Sequence, residues 1–195
     1  MVNKIMVKNC KNLLCDVNTS CLMIVDIQEK LSAVMPEKVI NRLKINTNIL
    51  LTAANQLNVP VIATMQYSKG LGGIESFVKD KLNETSKCFE KTSFSGLEAE
   101  GLLEHLDKLN KKQIILIGLE SHICVLQTAL EFIEKGYDVF VVSDAIASRK
   151  LTSYETALTR LEQADVRLLN TESVLFEWLR DAAHPKFKSL SKLIL

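Results

Sequence analysis

Cys124 lies in the stretch GLESHICVLQTALEF, where the apolar run Gln113 to Leu119 stops at a small glycine-containing turn and an amphipathic stretch of helical period begins. A thiol at the carboxyl end of a strand and in the first turn of a helix faces unpaired backbone N–H groups and the positive end of the helix dipole, both of which favour a thiolate. That is a nucleophile's position. A buried cysteine can also be a plain small hydrophobe, so the reading depends on what else the chain supplies. Asp26 ends the apolar run CLMIV of Cys21 to Val25, and a carboxylate ending a buried parallel strand is costly without a partner or a task. Lys91 stands in CFEKTSFSG, a short segment that also carries Cys88, Phe89 and Phe94. Strand-end carboxylates often cap helices and most lysines are solvated. Together, however, these two supply the proton acceptor and the cation that a thiol nucleophile needs.

Positioning these groups requires a scaffold, and the apolar pattern gives one. Runs of strand length fall at Cys21–Ile27, Pro60–Gln66, Gln113–Leu119, Asp138–Val142 and Val166–Leu169. Helical periodicity falls near Lys38–Leu57, Gly96–Leu109, His122–Lys135, Ser153–Ala164 and Glu172–Ala182. Buried strands alternating with helices imply a mostly parallel sheet covered on both faces, a three-layer α/β/α sandwich. Gly136 is placed to stop the Cys124 helix, Thr152 or Ser153 to cap the next one with Glu155 in its first turn, and Thr171 to cap the helix of Trp178, whose simplest role is core packing. Open parallel sheets bind ligands outside the carboxyl ends of their strands. Asp26, Gln66 and the turn before Cys124 all lie at such ends. Tyr67 to Cys88 is the least regular stretch, read either as a mobile loop over the site or as a plain connection; its SKGLGG has neither phosphate-loop spacing.

The 195 residues suit one domain spanning 1–195. With 24 basic and 23 acidic residues and no basic block longer than Lys111-Lys112, the chain has no electrostatic footprint for nucleic acid or an acidic membrane, and a small, weakly charged molecule is the expected partner. No apolar run is long enough to span a bilayer, and the opening MVNKIMVKNCKNLL lacks the apolar core of a secretory signal. Five cysteines, at 10, 15, 21, 88 and 124, are odd in number and never form C-x-x-C, so the expected setting is a reduced cytoplasm. Only His105, His122 and His184 are present, and none forms a zinc signature; no metal and no cofactor is expected. His122 is two residues from Cys124, and such a pair diverges on a helix, which disfavours a local Cys-His dyad.

Asp26 in IVDIQEKL, Lys91 in EKTSFS and Cys124 in GLESHICVLQTALEF closely resemble, in order and spacing, the three motifs of the isochorismatase-like cysteine hydrolases. The likeness runs from about Leu13 to the last helix. QYSKGLGG, SDAIASR at Ser143–Arg149 and the ending DAAHPKFKSL look like the isochorismatase-domain-containing branch. The resemblance implies a Rossmann-like fold, homo-oligomers and an Asp-Lys-Cys triad in which Asp26 takes the Cys124 proton, Lys91 holds the anionic pair, and Cys124 attacks an electrophilic carbon. It also implies a cis peptide at Leu119–Glu120 that aims backbone N–H groups of Glu120 or Ser121, and of Cys124, as an oxyanion hole. Two departures narrow the chemistry. Nicotinamidases carry a metal-binding Asp-x-His where this chain reads TMQYSKGLGG, and isochorismatases proper typically lack the nucleophilic cysteine, so Cys124 points to acyl chemistry.

The expected reaction is therefore hydrolysis of a small amide or related C–N bond through a Cys124 thioester. Two other classes remain: a catalytically weak binding or scaffold protein, and a cysteine used for redox or acyl transfer. Gln28 and Gln66 are placed either to position a ligand or to satisfy loop backbone. Tyr67, Phe94 and Ile123 either line the pocket or pack in the core.

Overall fold

In the computed structural model, residues 13–194 are described. Cys10 and most of the opening segment read above for targeting signals lie outside them. Six strands, β1 (Ser20–Val25), β2 (Val61–Gln66), β3 (Lys87–Lys91), β4 (Gln113–Leu119), β5 (Asp138–Ala147) and β6 (Arg167–Leu169), form one sheet in the order β3-β2-β1-β4-β5-β6. Every pairing in the sheet is parallel. The helices are α1 (Glu29–Ala33), α2 (Glu37–Leu57), α3 (Ser68–Leu71), α4 (Ser76–Lys79), α5 (Leu102–Leu109), α6 (Leu126–Glu134), α7 (Leu151–Gln163), α8 (Thr171–Leu179) and α9 (Phe187–Ser191). Alternate residues of each central strand face opposite sides, so the core divides in two. Leu22, Ile24, Ile115 and Ile117 pack with residues of α2 and α8 on one face, while Cys21, Met23, Ile114 and Leu116 pack with residues of α5 and α6 on the other. This is the three-layer sandwich expected from the alternation of strands and helices.

Several local expectations need correction. The strand β3 is additional to the five apolar runs, because KCFEK is an edge strand whose residues are mostly exposed or half-buried and so show no apolar run. The preceding stretch is not featureless: it holds α3 and α4 and is tied down by Lys30 Nζ to the Gly70 carbonyl at 2.8 Å and by Glu29 N–H to the Gly73 carbonyl at 3.1 Å. The helix expected over Gly96–Leu109 is split into a 3₁₀ turn (Gly96–Glu98) and α5, with Gly101 between them at φ 78°. Neither Thr152 nor Ser153 caps α7; Lys150 occupies the cap position without a side-chain bond, and no acidic residue lies in the first turn. Asn170 rather than Thr171 caps α8, its side chain accepting from Ser173 N–H at 2.8 Å. Gly136 does follow the end of α6 with φ 81°, the left-handed conformation of a helix-stopping glycine. Trp178 is buried in the core and also donates to Ser20 Oγ at 3.1 Å.

Candidate active site

The sheet register brings the carboxyl ends of four strands together. Ile24 is paired with Ala63, Gln66 with Lys91, and Val25 with Gly118. Asp26, one residue beyond β1, has φ 49°, a left-handed conformation in which aspartate is among the better tolerated residues. Gly118 near the end of β4 has φ 126°, and a Cβ there would sit 2.0 Å from the Val25 carbonyl oxygen. Only glycine lets β4 pass this close to β1 and deliver the following turn beside Asp26.

Asp26 is completely buried, and both of its oxygens accept hydrogen bonds. Lys91 Nζ donates to Oδ2 at 2.6 Å, and Thr64 Oγ1 donates to Oδ1 at 2.7 Å. Lys91 is itself 4% exposed; its ammonium also donates to Gln66 Oε1 at 2.8 Å and lies 3.1 Å from the carbonyl oxygens of Ser93 and Phe94. Burial of this ion pair is compensated by a full set of bonds, the condition for keeping charge away from water. The Lys91 loop is in turn fastened to α6: Ser95 Oγ donates to Glu131, and Gly96 N–H donates to Thr128 Oγ1 at 2.8 Å.

Cys124 sits in a π turn (Ser121–Val125) between β4 and α6. The expected α-helical first turn is displaced by one residue's worth of chain, and the N–H groups of Ile123 and Val125 both donate to the Glu120 carbonyl, at 3.1 and 3.2 Å. The Leu119–Glu120 peptide is cis. Cys124 lies close enough to Asp26, Lys91 and the Glu120 backbone amide for all three to act on its proton. Burial pushes the thiol up to about 12, the Asp26 charge pushes in the same direction, and Lys91 and the Glu120 amide oppose them. The resting group is therefore a neutral thiol, not the thiolate expected from the helix dipole: desolvation and an adjacent carboxylate outweigh the backbone.

Of the other residues singled out in the sequence, Gln28 is fully buried and spends its amide on backbone, donating to the carbonyls of Gln66 at 3.1 Å and Gly72 at 2.8 Å while accepting from Gln66 N–H at 2.7 Å. Gln66 links Lys91 to the Thr92 carbonyl, 2.5 Å from its Nε2. Tyr67 and Phe94, each 53% exposed, stand directly after β2 and beyond β3, so neither is core. Ile123 is half-buried against the α6 side of the core. Ser121 is sealed, and its hydroxyl has no hydrogen-bond partner among the described residues. His122 pairs with Ser148 through Nδ1 at 2.9 Å, and His184 Nδ1 accepts from Lys186 N–H at 3.0 Å. A cavity of about 250 Å³ beside the turn is lined by His122, Arg149, Lys150 and Ser153.

Two participants went unread in the sequence. Thr64 is a lone hydroxyl inside the apolar strand VIATMQ, one residue beyond the Ala63 that pairs with Ile24; that spacing relative to Asp26 was the available signal. Glu120, considered only for its backbone, is 5% exposed and accepts from Arg149 N–H at 3.1 Å and Nε at 3.0 Å, which fixes the start of the cysteine turn to the end of β5.

A buried carboxylate–ammonium pair beside a thiol at one end of a parallel sheet is a distinctive arrangement, and residues 20–173 match the isochorismatase domain. The chain belongs to the isochorismatase family. Isochorismatase family protein 1B of Dictyostelium discoideum is 40% identical over 176 residues, covering 88% of this chain and 84% of that protein. Among solved structures of the fold, the protein described as MAR1 ribonuclease from Caenorhabditis elegans superposes with a TM-score of 0.87 at 34% identity, covering 93% of this chain and 92% of the other. The YcaC gene product of Escherichia coli, described as an octameric hydrolase of unknown specificity, gives a TM-score of 0.85 at 26% identity over 93% and 89%.

Proposed function

We propose that this isochorismatase-family protein is a cysteine hydrolase that opens a small amide or related C–N bond through a thioester on Cys124. The observation that carries the reading is the sealed Lys91–Asp26 pair, 2.6 Å apart, with the Cys124 thiol within its electrostatic reach. Because the thiol is held protonated, its deprotonation is coupled to attack. The S–H bond breaks, the proton passes to Asp26, and the sulfur electron pair forms a C–S bond with the carbonyl carbon. The displaced carbonyl electrons collect on oxygen, opposite backbone N–H groups of Glu120 or Ser121 and of Cys124. Collapse breaks the C–N bond, and the leaving nitrogen takes the proton from Asp26. Water then cleaves the thioester with Asp26 as base. Lys91, held by Gln66 and two carbonyls, balances the charge throughout.

Tyr67, Phe94 and Ile123 are the side chains that meet the substrate, and Gln28 and Gln66 act behind them by holding loop and lysine. The scheme needs no metal or cofactor. The octameric description of the E. coli protein supports a homo-oligomer. Free thiols at Cys15, Cys21, Cys88 and Cys124 support a reducing, cytoplasmic setting, and no described helix is long and apolar enough to cross a membrane.

The test is turnover of a pool of small amides by Cys124→Ala and Cys124→Ser. Both variants should fold, since the change in side chain is small, and both should lose turnover. Normal rates in Cys124→Ala would overturn the nucleophile. No Cys124-dependent turnover across a broad amide pool would favour a binding role. RNA cleavage that depends on Cys124 would favour the activity named for the C. elegans protein.

A further inference from the structure

Lys91 can balance negative charge on either of its anionic partners, the Asp26 carboxylate or a Cys124 thiolate, so its position alone does not decide which of them holds the shared proton. Thr64 differs. Its hydroxyl is 1% exposed and donates to Asp26 Oδ1 at 2.7 Å. A donor to a carboxylate in a dry site favours the ionised carboxylate and does nothing for a thiolate. Among the described residues, the charged and titratable groups that act on Asp26 are Lys91 from β3 and Cys124 from the turn after β4, and β2 contributes the uncharged Thr64.

Resting on the cysteine-hydrolase reading above, we propose that Thr64 is a positioning residue that sets where the shared proton rests, keeping Asp26 ionised and Cys124 protonated until a substrate arrives. Without its donor, the proton moves from sulfur toward the carboxylate: the S–H bond breaks, an O–H bond forms on Asp26, and the electron pair stays on sulfur opposite Lys91. The thiol would then meet electrophiles indiscriminately. Thr64 thus trades resting reactivity for a nucleophile that is released only when the substrate's carbonyl is in place.

The experiment uses no substrate. Iodoacetamide alkylation of Cys124 is followed at pH 7 by peptide mass mapping, so that the rate is read on the Cys124 peptide alone. Thr64→Val keeps the shape of the side chain and removes the hydroxyl; alkylation should accelerate about tenfold, the scale of one hydrogen bond to a charged group. Thr64→Ser should keep the wild-type rate. Thr64→Ala should behave like Thr64→Val, so that poor folding of one variant leaves the other to decide. An unchanged or slower rate in the hydroxyl-free variants, or a Thr64→Ser rate equal to theirs, overturns the proposal. Lys91→Met run alongside separates the two levels. If it slows alkylation while the Thr64 variants do nothing, only the role of Thr64 falls. If neither changes the rate, the three-group coupling behind the hydrolase reading falls as well.

Discussion

Lys91 Nζ stands 2.6 Å from Asp26 Oδ2, and both side chains are entirely screened from solvent. A charge pair in that position is stable only as a pair. Removing one member strands the other in a medium that cannot solvate it, at a cost of about 3–5 kcal/mol, whereas removing both charges costs much less. Asp26→Asn and Lys91→Met should each lower the urea midpoint strongly, and the double variant should recover most of the loss. Additive losses would show that the two charges do not depend on each other.

The same pair acts on Cys124 with opposite signs. Asp26 raises the thiol and Lys91 lowers it. At pH 8, alkylation of Cys124 should therefore be faster than wild type in Asp26→Asn and slower in Lys91→Met, although both variants lose turnover. Rates that move in the same direction would contradict the arrangement.

Burial also ties alkaline stability to the cysteines. Cys21 is pushed up to about 12 by burial, and Cys124 reaches about 12 as well, from an ordinary value of 9.0. In both, the folded value lies above the unfolded one, so the folded state holds its proton longer. The contribution is fully present below about pH 9 and is lost as pH climbs from there toward 12. Each such thiol adds a slope of about 1.4 kcal/mol per pH unit across that window. Urea denaturation of Cys21→Ala should start from a lower midpoint because of the cavity it leaves, but decline less steeply above pH 9 than wild type. An equal slope would remove Cys21 from the linkage.

What the chain disclosed in advance follows from burial. β1 and β4 are buried at every position, so their apolar runs stand out, and Asp26 and the turn before Cys124 are conspicuous as the places where those runs stop. Lys91 was legible as a residue but not as the end of a strand, because β3 lies at the sheet edge with most of its side chains outside the core. The period of the stretch from His122 onward does not distinguish a π turn running into α6 from one continuous helix, so Cys124 was placed in an ordinary first turn. Its protonation was misread for a related reason: the helix dipole is visible from sequence order, while the desolvation that outweighs it depends on which elements close around the sulfur. Thr64 stayed hidden because a threonine suits a strand on propensity alone, and only the register against β1 sets it on the carboxylate.

The central claim is that Cys124, rather than another thiol, carries the acyl group. Exposed Cys88 is the natural comparison, since it is the more accessible of the two. Peptide-resolved mass spectrometry after incubation with a pool of small amides and esters should find an acyl mass increment on the Cys124 peptide, absent in Cys124→Ala and reduced in Lys91→Met. An increment confined to Cys88, or turnover with no adduct on Cys124 under quenched conditions and undiminished in Cys124→Ala, would contradict it.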